Sequence, residues 1–261
     1  IILSAVEENM EEQKNEKTPV AYFVSFLSLL DQCIKGDNIV DKNLAATTAY
    51  FLDIIFPFTP KPLLKGKFAD ILTKLAPPLT HPESEAPLVR STIGALESLL
   101  LAQDHQQWIS SGNISPKRAL VGLLELSFDP RPKVRRRAQE AVNKILTNPP
   151  ASPSPIHVAS PICGELSLQR LATLLEERGS KRSNNKEVNS SMIHCLQLIT
   201  SITSANAWPQ AQIEPLCDVL LEISKTSDQF LVSSAFSAFD GLFSSMSNVI
   251  DVEKFTKVLD I

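Results

Sequence analysis

The sequence predicts an all-α chain, an α-solenoid of antiparallel helix pairs, and three observations carry that prediction. Apolar residues recur at three- and four-residue steps through most of the 261 residues. Prolines, serines, threonines and aspartates stand at the ends of those runs, where helices are capped or stopped. Only 8 glycines and 6% aromatic residues speak against a β-sandwich or a dinucleotide-binding sheet, while 43% apolar residues suffice for a continuous core.

The elements follow in order. Residues 2–13 form an amphipathic helix with Ile2, Val6 and Met10 on one face and glutamates on the other. Thr18-Pro19 starts an apolar helix through Phe23, Val24, Phe26, Leu27 and Leu30 that Gly36 closes. Asp41 caps its partner, with Leu44, Ala45, Thr48, Phe51, Leu52 and Ile55 inward, and Pro57, Pro60 and Pro62 stop it. A third helix runs from Leu63 to Leu75, ahead of a connection at Pro77-Pro78 and His81-Pro82. The fourth starts near Glu85 and carries Leu88, Val89, Ile93, Leu96, Leu99 and Leu100, with Trp108 and Ile109 plugging the next joint. Ser115-Pro116 opens a helix through Ala119, Leu120, Leu123, Leu124 and Leu126.

Its partner is DPRPKVRRRAQEAV, Asp129 to Val142. Asp129 can accept free amides at a helix start, and proline suits the first turn, where no donor is needed. Val134, Ala138, Ala141, Val142 and Ile145 share one face, and the two small alanines admit a close neighbour. Second helices of the pairs thus start near 41, 86 and 131.

Asn148 to Pro155, NPPASPSP, cannot be helical and separates an N-terminal block (1–147) from a C-terminal one (156–261). Ser160-Pro161 opens a long helix with Ile162, Leu166, Leu168, Leu171, Leu174 and Leu175, closed at Gly179. A polar loop at 180–190 follows, then helices Met192–Ile202, Ile213–Ile223 and Phe230–Met246, with another beginning near Val252. A start without Met and an end inside a helical pattern give the expectation of a fragment of a longer chain.

The Asp, Pro, Val-Arg and spaced-Ala order of 129–142 resembles the second helix of a HEAT repeat, and the spacing of second helices fits the period of about 40–47 residues of HEAT/armadillo-like arrays. Together with NKIL, PIHVASPICGELSLQRL and CLQLITSITSANAW, it is similar more specifically to the ribosomal RNA-processing protein 12 family, over most of 115–261. That resemblance implies a non-catalytic nucleolar and nuclear scaffold that shuttles to the cytoplasm. It implies association with pre-rRNA and pre-ribosomal particle proteins, support of rRNA processing, and export of ribosomal subunits with Ran GTPase and an exportin. An importin-β-like transport adaptor and a purely protein-binding HEAT scaffold are the competing readings.

A net charge of -4 gives no global attraction to nucleic acid, so contact with RNA must be local. Between Lys117 and Lys144 eight Lys or Arg stand against three acids, an excess of +5. On the flank of the 129–147 helix, Lys133, Arg137 and Lys144 lie within about 40° of one another, a basic ridge. Lys117, Arg118, Arg131, Lys133, Arg136, Arg137 and Lys144, with Lys181, Arg182 and Lys186 in the polar loop, are therefore the candidate RNA or partner contacts. The same charges also suit a merely solvated face. Arg137→Glu is accordingly expected to leave folding intact, whereas Ala138→Glu breaks the repeat.

Other chemistry finds little support. Cys33, Cys163, Cys195 and Cys217 have no paired spacing and read as buried thiols, not as a disulfide framework or a zinc site. The four histidines are isolated, and no glycine-rich phosphate loop, nucleophile elbow or paired His-Glu motif occurs. No catalytic residue, metal, cofactor or small-molecule substrate is expected. The longest apolar runs are too short to cross a bilayer, so no membrane partner is expected either.

Overall fold

The computed structural model describes residues 1–35, 38–152, 154–179 and 185–245. The chain forms two compact units, Ile1–Ser152 and Pro153–Ile261.

In the first unit α1 (Ile2–Glu12) precedes three helix pairs. The pairs are α2 (Pro19–Cys33) with α3 (Lys42–Ile55), α5 (Phe68–Thr80) with α6 (Ala86–Leu101), and α8 (Pro116–Leu126) with α9 (Pro132–Leu146). Their starts are fixed locally. Thr18 Oγ1 accepts the Ala21 amide at 3.2 Å, Asp41 Oδ1 those of Asn43 and Leu44 at 2.9 and 3.0 Å, and Ser115 Oγ that of Arg118 at 3.4 Å. The second helices begin at Lys42, Ala86 and Pro132, in the expected rhythm.

These second helices pack side by side, α3 on α6 and α6 on α9. Flanked on both sides, α6 buries Leu88, Val89, Ile93, Ala95, Leu96, Leu99 and Leu100, and even Glu97 and Thr92. On α9 the expected face, Val134, Ala138, Ala141, Val142 and Ile145, is buried. This is the helix-pair organisation of an α-solenoid.

Several expectations need correction. Gly36 lies outside the described residues; α2 ends at Cys33, and β1 (Ile34–Lys35) pairs antiparallel with β2 (Asn38–Ile39), where Ile34 is extended and Ile39 is buried. Pro57 sits in a 3₁₀ turn (Phe56–Phe58) and Pro62 inside a short helix, α4 (Lys61–Gly66), so the third helix is two pieces. Pro77 and Pro78 belong to α5 itself; each lacks one amide, but Pro78 is buried and the His81 amide still reaches the Pro77 carbonyl at 2.9 Å. In α7 (His105–Ile109) Trp108 is buried, whereas Ile109 is 46% exposed.

In the second unit α10 (Ser160–Gly179) and α13 (Gln229–Ser245) both pack on α11 (Asn185–Ser204), and α12 (Ile213–Ser224) packs on α13. Between 148 and 155 the described residues contain no helix. α10 turns a small-residue face inward, Ser160, Cys163, Gly164 and Ser167 with Leu171 and Leu174, leaving Ile162, Leu166, Leu168 and Leu175 half-buried. The reason is proximity: the Gln212 side chain lies where a Cβ on Gly164 would be, and Gln212 Nε2 donates to the Pro161 carbonyl at 3.0 Å. Residues 185–190, expected in the loop, form the first turns of α11. Cys217 is half-buried, unlike Cys33, Cys163 and Cys195. Residues 180–184, and the helix expected near Val252, lie outside the described residues.

Candidate functional site

The basic stretch is organised by Asp129 and Glu97, two carboxylates that the ridge reading left out. Asp129 closes the turn into α9. Its Oδ1 accepts the Arg131 amide at 2.8 Å and Nε at 2.9 Å, and its Oδ2 accepts the guanidinium at 2.8 Å. Burial pushes the Asp129 carboxyl up, but hydrogen bonds from Arg131 outweigh it and hold the group below its ordinary value. The same guanidinium donates to the Ser84 carbonyl at 2.7 Å, tying the turn before α9 to the turn before α6. Arg131 therefore fastens one repeat to the next.

Glu97 faces α9 from α6 and its side chain is only 4% exposed. Arg137 donates to Oε2 at 2.6 Å, and Lys144 reaches Oε1 at 2.7 Å. Two of the three ridge cations thus converge on one buried carboxylate, Arg137 half-buried and Lys144 exposed. The expectation for Arg137→Glu fails on this geometry, because a glutamate there would face Glu97 and leave it without its arginine. Ridge residues Arg137 and Lys144 contribute to packing before they can contribute to binding.

The remaining candidates are scattered. Lys133 and Arg136 are exposed on α9 and form no ion pair among the described residues. Lys117 is half-buried and Arg118 exposed in the first turn of α8. Lys186 is exposed in the first turn of α11, in the second unit. Lys181 and Arg182 lie outside the described residues.

A groove of about 430 Å³ lies between α3 and α6, lined by Thr47, Tyr50, Asp53, Arg90, Ser91 and Arg137 among others. Sequence reasoning missed it, since Asp53 and Tyr50 look like one polar interruption and one aromatic in an apolar run. The Asp53 carboxylate rests against α6 at Gly94, where a Cβ would collide with it. Burial pushes its carboxyl above the ordinary value, Arg137 pulls it back, Glu97 pushes it up again, and Lys144 and Arg90 oppose. The glycine opposite Asp53 is the signal that could have found the site. A second, more apolar groove of about 630 Å³ runs between α5 and α8, with Leu72, Ala76, Leu96, Ile114 and Leu126 in its walls and Arg118 at its edge.

Among the described residues no group of His, Cys, Asp and Glu is arranged to hold a metal ion, and no helix is long and apolar enough to cross a membrane.

Against known proteins, residues 1–228 match a family model described as RRP12-like, N-terminal HEAT repeats. The match extends to the first residue, well beyond the stretches that carried the resemblance in sequence. The chain is 45% identical over 279 residues to Ribosomal RNA-processing protein 12 of Saccharomyces cerevisiae, covering 100% of this chain and 23% of that protein. It is 31% identical over 245 residues to the putative ribosomal RNA-processing protein 12 of Schizosaccharomyces pombe, covering 93% of this chain and 20% of that protein. With the human RRP12-like protein it shares 23% identity over 247 residues, 93% of this chain and 18% of that one. It thus spans less than a quarter of the length of these relatives.

Proposed function

The chain belongs to the RRP12-like family of N-terminal HEAT repeats, and on that footing we propose that it is a non-catalytic scaffold segment of a ribosomal RNA-processing factor, docking pre-rRNA and proteins of pre-ribosomal particles. The observation that carries the RNA part is the set of cations left over once the packing pairs are formed. Lys133 and Arg136 on α9, with Lys117 and Arg118 on α8, are available to phosphates, whereas Arg131, Arg137 and Lys144 are engaged with carboxylates. Point charges of this kind neutralise a phosphate backbone without reading sequence. Lys181, Arg182 and Lys186 would add a second contact from the C-terminal block, with 148–155 as the connector. Work in the nucleolus and nucleus, shuttling, and subunit export with Ran GTPase and an exportin complete the reading for the whole protein.

RNA binding across a salt series tests it, comparing the natural chain with a Lys117→Glu, Lys133→Glu, Arg136→Glu variant that spares Glu97's partners. Binding should weaken with salt, and on single strands the variant's log–log slope should be shallower by about 2. Binding that ignores the three reversals would overturn the assignment. The apolar groove between α5 and α8 favours a second reading, a purely protein-binding scaffold, importin-β-like adaptors included. Absence of RNA binding together with capture of Ran in its GTP form would select that adaptor.

A further inference from the structure

Building on the RNA-binding reading but at a separate place, we propose that the groove between α3 and α6 is a pocket for a guanine base of single-stranded RNA.

The groove, at about 430 Å³, is within the size range of small-ligand pockets. Its distinguishing group is Asp53. The carboxylate is half-buried, seated on the α6 backbone at Gly94, and forms no hydrogen bond or ion pair among the described residues. A carboxylate in such a place is an acceptor of two parallel donors that lacks them. Guanine alone among the four RNA bases offers two adjacent N–H donors, N1–H and the N2 amino group, along its pairing edge. Uracil offers one there, and adenine and cytosine one amino group beside a ring-nitrogen acceptor.

The surroundings suit the rest of a nucleotide. Tyr50, one helical turn before Asp53, lines the groove and is 56% exposed, an aromatic side chain of the kind on which a splayed base stacks. Arg90 is exposed at the groove without an ion pair among the described residues, placed for a phosphate, and Ser91 beside it adds a hydroxyl. Arg90 at the groove disfavours a basic peptide side chain, the other ligand that a carboxylate and a tyrosine would attract. Gly94 keeps the arrangement open, since any larger residue would displace the carboxylate.

The test uses the full 261-residue chain and labelled tetranucleotides UUGU, UUIU, UUAU and UUUU, read by fluorescence anisotropy at low salt. Inosine lacks only the N2 amino group, so UUGU should bind about tenfold more tightly than UUIU, and more tightly still than UUAU or UUUU. Asp53→Asn should erase that preference, and Tyr50→Ala should weaken all four by about tenfold. Lys133→Glu with Arg136→Glu should weaken longer RNA while leaving the guanine preference intact. Equal binding of UUGU and UUIU, or no binding of any of the four, overturns the pocket, even if long RNA still binds through the α8–α9 cations. Guanine preference without binding of longer RNA keeps the pocket and overturns the reading it builds on. The inosine comparison alters only the ligand, so it decides the matter even if a variant folds poorly.

Discussion

Glu97→Gln probes the joint between the second and third repeats at a buried charge. The glutamate's side chain is 4% exposed and bridges Arg137 at 2.6 Å and Lys144 at 2.7 Å. Removing one partner of a fully buried ion pair costs about 3–5 kcal/mol. Here Arg137 keeps 23% of its side-chain exposure, so a charge-assisted hydrogen bond of about 1.5–3 kcal/mol is the fitting scale. Lys144 is 59% exposed, and its share is the surface value of about 0–1 kcal/mol. The expected loss is then about 1.5–4 kcal/mol. At about 2–4 °C per kcal/mol for a unit of this size, the melting point should fall by roughly 3–16 °C. Trp108 lies in the first unit and Trp208 in the second, so a Trp208→Phe background lets Trp108 fluorescence follow the first unit alone. Double-mutant cycles in urea should give a coupling of about 1.5–3 kcal/mol for Glu97 with Arg137 and under about 1 kcal/mol for Glu97 with Lys144. A Glu97–Arg137 coupling below about 0.5 kcal/mol would refute the reasoning, since it would make the bridge an incidental contact.

Four further outcomes follow from the same packing. Ala138→Glu drives a charge into a wholly buried site and should cost about 4 kcal/mol or more, so that helicity by circular dichroism no longer melts cooperatively at the natural temperature. Arg131→Ala removes the guanidinium from the Ser84 carbonyl and from the Asp129 carboxylate together and should cost about 1–3 kcal/mol in urea unfolding; a loss under about 0.5 kcal/mol would show that the repeats are not fastened there. Asp53 has a folded-state pKa above its unfolded one, with Arg90 and Glu97 from α6 and Arg137 and Lys144 from α9 around it. Its contribution is therefore present below the unfolded value and lost as pH rises through the folded one. Asp53→Asn should thus raise the melting point at neutral pH, and the gain should vanish in acid; a variant less stable than the natural chain at neutral pH contradicts this. Burial pushes the Cys163 and Cys195 thiols up to about 12, so both should resist a disulfide reagent at mildly alkaline pH until the second unit unfolds.

Much of the fold was legible because its signals are local. Thr18, Asp41 and Ser115 cap helices through their own side chains, and the inward face of α9 follows from its period alone. Legibility failed where the deciding neighbour is remote. The small-residue face of α10 points inward because Gln212, far along the chain, fills the space at Gly164. Pro77 and Pro78 read as a break by their own chemistry, but α5 continues through them with Pro78 buried in the unit.

The sequence by itself determined that this chain is a run of helix pairs, where the second helices begin, and which family it resembles, since caps, prolines and 3.6-residue periodicity act within a few residues of the chain. Only the tertiary structure decided what the charges do. Arg137 and Lys144 look like a free ridge when α9 is read alone; beside α6 they are the partners of Glu97, forty and more residues away. Asp53, which looked like an interruption, is left by the fit of α3 on Gly94 as a half-buried carboxylate facing a groove. The register between neighbouring helices sets both results, and that register comes from side chains interlocking across the interface, which no single stretch of sequence contains.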